Sequence, residues 1–223
     1  MLDTAFPRLS GDAGNADSYS MPVAIKVVNG VDSLDIVINA QPSDEIVDKF
    51  CAAAQSLQTQ GAKAIVSTCG FLVSVQNAIA SSVTIPVMLS PLTLYPTIYA
   101  VVGNRPIGII TASKSCLGTL ALGAAGIQSK NVRIAGMEDC SIFSKTFIVQ
   151  KELQCTNIDQ VALQKSVVGK AQILVDEFPE VSAIILECGN LPPYANAIEN
   201  AIGRPVFSIL DGAELLWINK HSI

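Results

Sequence analysis

Two hydrophobic patterns alternate along the chain. Short apolar runs rich in valine and isoleucine are separated by longer stretches in which apolar residues recur every three or four positions. Short continuous runs are typical of strands covered on both faces, whereas the longer period is typical of helices. Strands are predicted at 22–28, 36–39, 64–67, 87–89, 106–110, 132–135, 183–186 and 206–209, and helices at 44–59, 72–81, 91–102, 115–124, 159–178, 194–201 and 212–219.

Strands that alternate with helices at this spacing predict parallel α/β layers. In such layers, ligands bind beyond the carboxyl ends of the strands. Cys69, Cys188 and the segment 111–113 each follow a predicted strand. The cleft between the two halves of the chain is therefore the expected binding site.

The chain also contains an internal repeat. When the sequence is shifted by 119 positions (188 − 69), Cys69 meets Cys188, and the 24 positions from 64 to 87 give 10 identities without a gap. The repeat predicts a duplicated strand–turn–helix unit with a thiol at each turn. Two such units related by a pseudo-two-fold axis would present two thiols to opposite faces of one small substrate. A cofactor-free racemase needs that geometry, because one group removes a proton and the other returns one.

These patterns together predict the architecture. We expect two Rossmann-like parallel α/β domains related by a pseudo-two-fold axis, with the active site in the interdomain cleft and the two sulfur atoms facing each other across it. Residues 1–102 plus 206–223 form the first domain, and residues 103–205 form the second. The last helix is expected to pack back on the first half.

Composition narrows the possible partners. The net charge is −5 and no basic stretch occurs, which argues against nucleic acid or an anionic membrane surface as a partner. No apolar run approaches the roughly 20 residues that span a bilayer, and no secretory signal is recognisable. The six cysteines include no Cys-x-x-Cys pair, which favours reduced thiols in the cytoplasm. A single histidine, His221, argues against a zinc site.

The aligned cysteines are the leading candidates for chemistry. A thiol at a helix N-terminus feels the helix dipole, and its pKa can fall to roughly 3.5–7.5. The following residues, Gly70 and Gly189, would let a ligand approach the backbone, whose N–H groups can hold a carboxylate. A buried cysteine can equally be a small apolar residue, and that interpretation is kept for the unaligned ones, which are Cys51, Cys116, Cys140 and Cys155.

Other polar residues have two interpretations each. The turn Gly11-Asp12-Ala13-Gly14-Asn15 either offers N–H groups and a carboxylate to a ligand or is a solvated surface turn. Thr111 and Ser113 either donate hydrogen bonds to a substrate or cap the next helix. Glu187 either holds Cys188 in register or raises the pKa of its thiol, or it points into solvent.

Three motifs carry a family resemblance: Phe6-Pro7-Arg8 with the Gly-Asp-x-Gly-Asn turn, Ser67-Thr68-Cys69-Gly70, and Glu187-Cys188-Gly189-Asn190-Leu191-Pro192-Pro193-Tyr194. With these motifs the chain resembles the aspartate/glutamate racemase superfamily, in particular an unassigned branch with that N-terminal turn. The resemblance implies two α/β domains and acid/base roles for both aligned thiols. It also implies that residues 1–4 correspond to the end of the family's first strand.

The expected function is a cofactor-independent racemase or epimerase of a small carboxylate, most simply an amino acid such as aspartate or glutamate. One thiolate, from Cys69 or Cys188, takes the α-proton and the opposite thiol delivers another, without metal or other cofactor. The expected substrate-binding residues are Asp12, Asn15, Gly70, Phe71, Thr111, Ser113, Gly189 and Asn190. A homodimer or higher oligomer is compatible with this interpretation.

Two alternatives remain open. An enzyme of the same fold could use one thiol as a nucleophile, as in a cis/trans isomerase or a decarboxylase. The superfamily that this chain resembles also holds hydantoin racemases, maleate isomerases and arylmalonate decarboxylases, and the last two use their cysteines differently. A two-lobed protein could instead bind a small anion without catalysis.

Overall fold

Two parallel β-sheets form the framework of the protein. The computed structural model describes residues 1–37 and 42–218. The smaller sheet pairs β1 (Ile65–Val66) with β2 (Val87–Met88). The larger sheet has the order β4-β3-β5-β6, formed by β3 (Ile107–Thr111), β4 (Val132–Gly136), β5 (Ala183–Leu186) and β6 (Val206–Phe207). Each described strand pair is parallel, as the alternating pattern predicts.

Helices and 3₁₀ turns connect these strands. The helices are α1 (Ser33–Val37), α2 (Asp44–Thr59), α3 (Gln76–Ser81), α4 (Tyr95–Val101), α5 (Thr119–Ala124), α6 (Ser141–Phe147), α7 (Gln160–Glu177), α8 (Ala195–Ile202) and α9 (Ile209–Ile218). The 3₁₀ turns are Ala16–Ser18, Gly70–Val75, Pro91–Leu94, Ser129–Asn131, Lys151–Leu153 and Pro192–Tyr194. Within the described ranges, no helix is both long and apolar enough to cross a membrane.

The larger sheet is buried because its central strands are covered on both faces. Every residue of β3 and β5 is buried. Leu163, Val167 and Ala171 of α7 recur at four-residue intervals and are fully buried, so one stripe of this helix packs on the core. The Asp159 side chain caps α7 by accepting a hydrogen bond from the Ala162 N–H at 2.9 Å.

The internal repeat is confirmed at the level of strand register. Ile65 pairs with Val87 in the smaller sheet, and Ile184 pairs with Val206 in the larger sheet. Both members of the second pair lie 119 positions after those of the first (184 − 65 and 206 − 87). Each unit continues from its strand into a 3₁₀ turn, a helix and a second strand.

Two predicted strands are corrected by the structure. Residues 22–27 join no ladder, and Val28 forms only an isolated parallel bridge with Leu2. Of the predicted strand 36–39, Ile36 and Val37 end helix α1, while 38–39 lie outside the described residues. Helix α1 forms because the Asp32 carboxylate accepts hydrogen bonds from two N–H groups of its first turn. The hydrophobic pattern along the sequence also did not predict helix α6.

The end of the chain is shared between the two sheets. Strand β6 hydrogen bonds to β5 and completes the larger sheet. Helix α9, which follows it, contacts β1 and the 3₁₀ turn Pro91–Leu94 of the first half, as expected for the last helix. Residues 206–207 therefore belong to the larger sheet, and the chain returns to the first half only after them.

Candidate active site

Cys69 and Cys188 meet at the carboxyl ends of β1 and β5. The two residues form an isolated antiparallel bridge with each other, and both line a cavity of about 30 Å³. Apolar and aromatic side chains form one part of its wall, namely Leu2, Phe6, Val37, Phe71, Phe147 and Ile148. The rest of the wall is Thr4, Arg8, Ser33, Thr68, Gly70, Ala112, Glu187 and Asn190.

The cavity is smaller than the expected cleft. A volume of about 30 Å³ corresponds to about one water molecule. The backbones of the two halves touch at the cysteines. A volume of about 30 Å³ is smaller than an amino acid or a similar small carboxylate.

Both glycines after the cysteines permit close packing between the two turns. A Cβ atom on Gly70 would collide with the carbonyl oxygen and Oε1 of Glu187, and one on Gly189 would collide with the carbonyl oxygen of Thr68. The close approach that these glycines allow in the structure is thus between protein segments. Gly70 lines the cavity as well, so a ligand could still reach it.

The turn that contains Asp12 is a buried part of the site, which excludes the surface-turn interpretation. The Asp12 carboxylate, 2% exposed, accepts hydrogen bonds from Arg8 at 3.1 Å, the Gly14 N–H at 2.6 Å and the Asn190 side chain at 2.8 Å. Asn190 in turn accepts from the Cys188 thiol at 3.5 Å. Asp12 thereby connects Arg8 to the second cysteine, although it does not itself line the cavity.

Arg8 is the cation that this network brings to the cavity. Its guanidinium lies 4.5 Å from the centroid of the Phe6 ring, within the range of a cation–π interaction. It also donates a hydrogen bond to the Thr4 hydroxyl at 2.8 Å. A carboxylate that enters the cavity would meet a positive charge already held in position.

Glu187 is a site residue that was not among the expected substrate-binding residues. It is fully buried and lines the same cavity as the two thiols. Its Oε2 accepts a hydrogen bond from the Thr111 hydroxyl at 2.7 Å, whereas its Oε1 is buried without a partner among the described residues. Burial raises the pKa of this carboxyl to about 7. Its position directly before Cys188 was the available sequence signal.

Both thiols are held in the protonated form by their surroundings. Burial, and then the charge of Glu187, raises the pKa of Cys69 to about 12 and that of Cys188 well above its usual value. The expectation of a lowered pKa is therefore wrong for this closed site. The N–H groups of Phe71 and Asn190 oppose the shift at equivalent positions of the repeat, but their effect is smaller.

Thr111, Asn15 and Ser113 have protein partners instead of facing the cavity. Thr111 supports Glu187 as described above. The Asn15 side chain caps the turn Ala16–Ser18 by accepting from the Asp17 N–H at 2.9 Å. Ser113 accepts from the Cys116 N–H at 3.3 Å and lies 3.0 Å from the Ser115 hydroxyl. Ser113 therefore holds the turn at 114–116 and does not cap the next helix, since α5 begins at Thr119 with Gly118 as its N-cap. A role of Ser113 toward a substrate stays a prediction.

A larger cavity of about 420 Å³ lies beside β1, α9 and the segment 21–26. Its lining is mostly apolar and contains neither Cys69 nor Cys188. Across the part of the chain that the structure describes, no group of histidine, cysteine and acidic residues could hold a metal ion. His221 lies outside the described residues. The acid and thiol groups converge at the smaller cavity, which is the candidate active site.

Comparison with known proteins adds the family context. The model of the Asp/Glu/hydantoin racemase family matches residues 15–216. A dimethylsulfoniopropionate lyase of Durusdinium sp. clade D is 29% identical over 218 residues, which are 96% of this chain and 71% of that protein. Dimethylsulfoniopropionate lyases 7 and 3 of Emiliania huxleyi (strain CCMP1516) are each 28% identical and match 94% and 92% of this chain. The chain spans only 62% and 55% of their lengths.

Solved structures with a similar fold differ widely in sequence. A crystal structure of arylmalonate decarboxylase superposes with a TM-score of 0.59 at 15% identity. The superposition covers 100% of this chain and 93% of the decarboxylase chain. Allantoin racemase from Klebsiella pneumoniae gives a TM-score of 0.55 at 14% identity, with 84% and 68% coverage. An aspartate racemase homologue from Pyrococcus horikoshii OT3 gives 0.54 at 14% identity, with 89% and 85% coverage. At this identity the similarity shows a shared two-domain fold.

Proposed function

The chain belongs to the Asp/Glu/hydantoin racemase family, and on that premise we propose that it removes a proton from the carbon next to a carboxylate. The base is the thiolate of Cys69 or Cys188. The observation that carries the proposal is the meeting of two repeat-related thiols at one cavity that also contains Arg8. Arg8 would pair with the substrate carboxylate, and the thiolate would then take the adjacent proton.

The fate of the resulting carbanion defines the reaction. The electron pair left on the α-carbon can expel a leaving group from the β-carbon, which forms a C=C bond and makes the enzyme a lyase. It can alternatively take a proton from the opposite thiol, which inverts the centre and makes the enzyme a racemase. Both reactions share the first step, so a thiolate base at this site serves either one, and only racemisation also needs the opposite thiol.

We favour elimination, with dimethylsulfoniopropionate as the substrate. The support is that lyases named for this compound align with more than nine-tenths of the chain. In that reaction the α-proton goes to the thiolate, the bond from the β-carbon to sulfur breaks, and dimethyl sulfide and acrylate leave. The aromatic wall formed by Phe6, Phe71 and Phe147 suits a dimethylsulfonium cation.

Racemisation of an amino acid such as aspartate or glutamate is the second candidate. The equivalence of the two thiols favours it. Each thiol has a backbone N–H group two residues later, from Phe71 or Asn190, that lowers its pKa. Such a substrate also needs an acceptor for its ammonium group, and Glu187 is the carboxyl in the described cavity wall.

The deciding experiment offers the purified protein each substrate in D2O. Headspace chromatography measures dimethyl sulfide from dimethylsulfoniopropionate, and NMR measures deuterium incorporation into D- and L-amino acids. Dimethyl sulfide release without amino-acid exchange supports the lyase, and exchange without release supports the racemase. Binding of these compounds with neither reaction would overturn the proposal in favour of a small-anion binding protein.

A further inference from the structure

We propose that Glu187 binds the substrate carboxylate as a neutral acid, donating a hydrogen bond from Oε1, so that one proton enters the site with each substrate. This inference rests on the proposed function, because it concerns the same cavity and a carboxylate ligand. Glu187 acts on the bound end of the substrate and leaves proton removal from carbon to the cysteines.

The hydrogen-bond pattern decides which oxygen carries the proton. Oε2 already accepts a hydrogen bond from the Thr111 hydroxyl at 2.7 Å. Oε1 is buried, has no partner among the described residues and lies against Gly70, which lines the cavity. An unpaired buried polar oxygen is costly. A proton on Oε1 gives the cavity a donor, and a ligand carboxylate is the acceptor that would satisfy it.

Charge crowding gives the second argument. Two ionised carboxylates close together in a site with little water repel each other, which favours a proton on one of them. Glu187 is the one placed to hold that proton, because burial already raises its pKa to about 7. The titratable or charged groups around it are the thiols of Cys69 and Cys188 and the Arg8 guanidinium, with Asp12 behind Asn190. Arg8 remains available to the other oxygen of the ligand.

Proton uptake is the direct test. Calorimetry of propionate and acrylate binding, in buffers of different ionisation enthalpy, counts the protons taken up by the complex. At pH 8 we expect close to one proton per ligand in the wild type. Below pH 6 we expect almost none, because Glu187 is already neutral there. Zero uptake at pH 8 in the wild type would overturn the proposal without any variant.

Glu187→Gln separates this role from a structural one. The glutamine amide keeps the shape and presents an N–H donor at every pH, so it imitates the neutral acid. In the wild type, KM should rise by about tenfold per pH unit above pH 7, as expected for one proton bound with the substrate. In Glu187→Gln, KM should stay constant and proton uptake should vanish. Glu187→Leu should raise KM by about tenfold or more throughout, because the donor is lost.

The control is Glu199→Gln, which changes an exposed glutamate of α8 and should leave both profiles as in the wild type. A pH dependence of KM that survives in Glu187→Gln would contradict the proposal. Proton-linked binding of propionate by a protein that turns over neither candidate substrate would leave this inference standing while the proposed function fails. Turnover without proton-linked binding would overturn this inference and leave the proposed function standing.

Discussion

Cys69 and Cys188 are partners of an isolated antiparallel bridge, although they lie 119 positions apart in the chain. The bridge joins the ends of two repeat-related strands and brings two free thiols to one buried cavity. Because both turns also carry a glycine, the backbones can pack against each other at this point. The contact between the two halves of the molecule is therefore also the candidate site of proton transfer.

For racemisation, Cys69→Ala and Cys188→Ala should each lower turnover by roughly 10²–10⁴-fold, the usual contribution of an acid–base group. For elimination, a loss of that size is expected only for the variant that lacks the base. The folded state should lose about 1 kcal/mol or less in each case, because only a single sulfur atom is removed. Steady-state kinetics and urea denaturation measure the two effects. If both thiols act as bases on an amino acid, each variant should still exchange the α-proton of one enantiomer of that amino acid with D2O. Cys51→Ser, in helix α2 outside the cavity lining, is the matched control and should keep full activity.

The turnover number should rise with pH through the alkaline range. The base is a thiolate, and burial raises the pKa of the Cys69 thiol to about 12. A raised pKa means that the active ionised form is scarce at neutral pH and becomes about tenfold more abundant per pH unit. Measuring kcat from pH 6 to 9.5 at saturating substrate tests this expectation. A plateau reached below pH 9 would show that substrate entry lowers the thiol pKa substantially.

Glu187 should make the protein less stable as the pH rises from 4.5 to 7. The folded protein holds this proton up to a pH of about 7, while the unfolded chain releases it near 4.5. The stabilisation is complete below the lower value and is lost on passing the upper one. It amounts to roughly 3 kcal/mol. Urea denaturation across this range should show the free energy of unfolding falling for the wild type but not for Glu187→Gln. If the two proteins depend on pH in the same way, the raised pKa does not belong to Glu187.

Gly70→Ala should be strongly destabilising, whereas Gly169→Ala should be neutral or stabilising. A Cβ atom at Gly70 meets the backbone and carboxyl of Glu187, so the two turns must separate, at a cost of about 1–3 kcal/mol or more. Gly169 lies within helix α7 and has open space around it, so alanine there should add up to about 1 kcal/mol. Thermal unfolding of both variants measures the contrast. Equal effects would show that the turns can relax.

Local patterns in the sequence determined the framework of this protein. The apolar run at 183–186 and the stripe of α7 predicted buried elements, because burial on both faces or along one face leaves a direct imprint on residue type. The repeat predicted equivalent strand registers and the equivalence of Cys69 and Cys188. The apolar run at 22–28 predicted a strand that the structure does not contain. β-branched residues favour extended backbone, but a strand also needs a neighbour with which to pair.

Only the tertiary structure decided the chemistry of the site. The pKa of a thiol depends on how much water and charge surround it, and segments far apart in the chain enclose Cys69 and Cys188. The helix-end position predicted a lowered pKa, whereas burial and Glu187 raise it. In the same way, the roles of Glu187 and Asp12 follow from partners distant in sequence, Thr111 and Asn190. Such contacts leave no local pattern, because they depend on how the two halves pack.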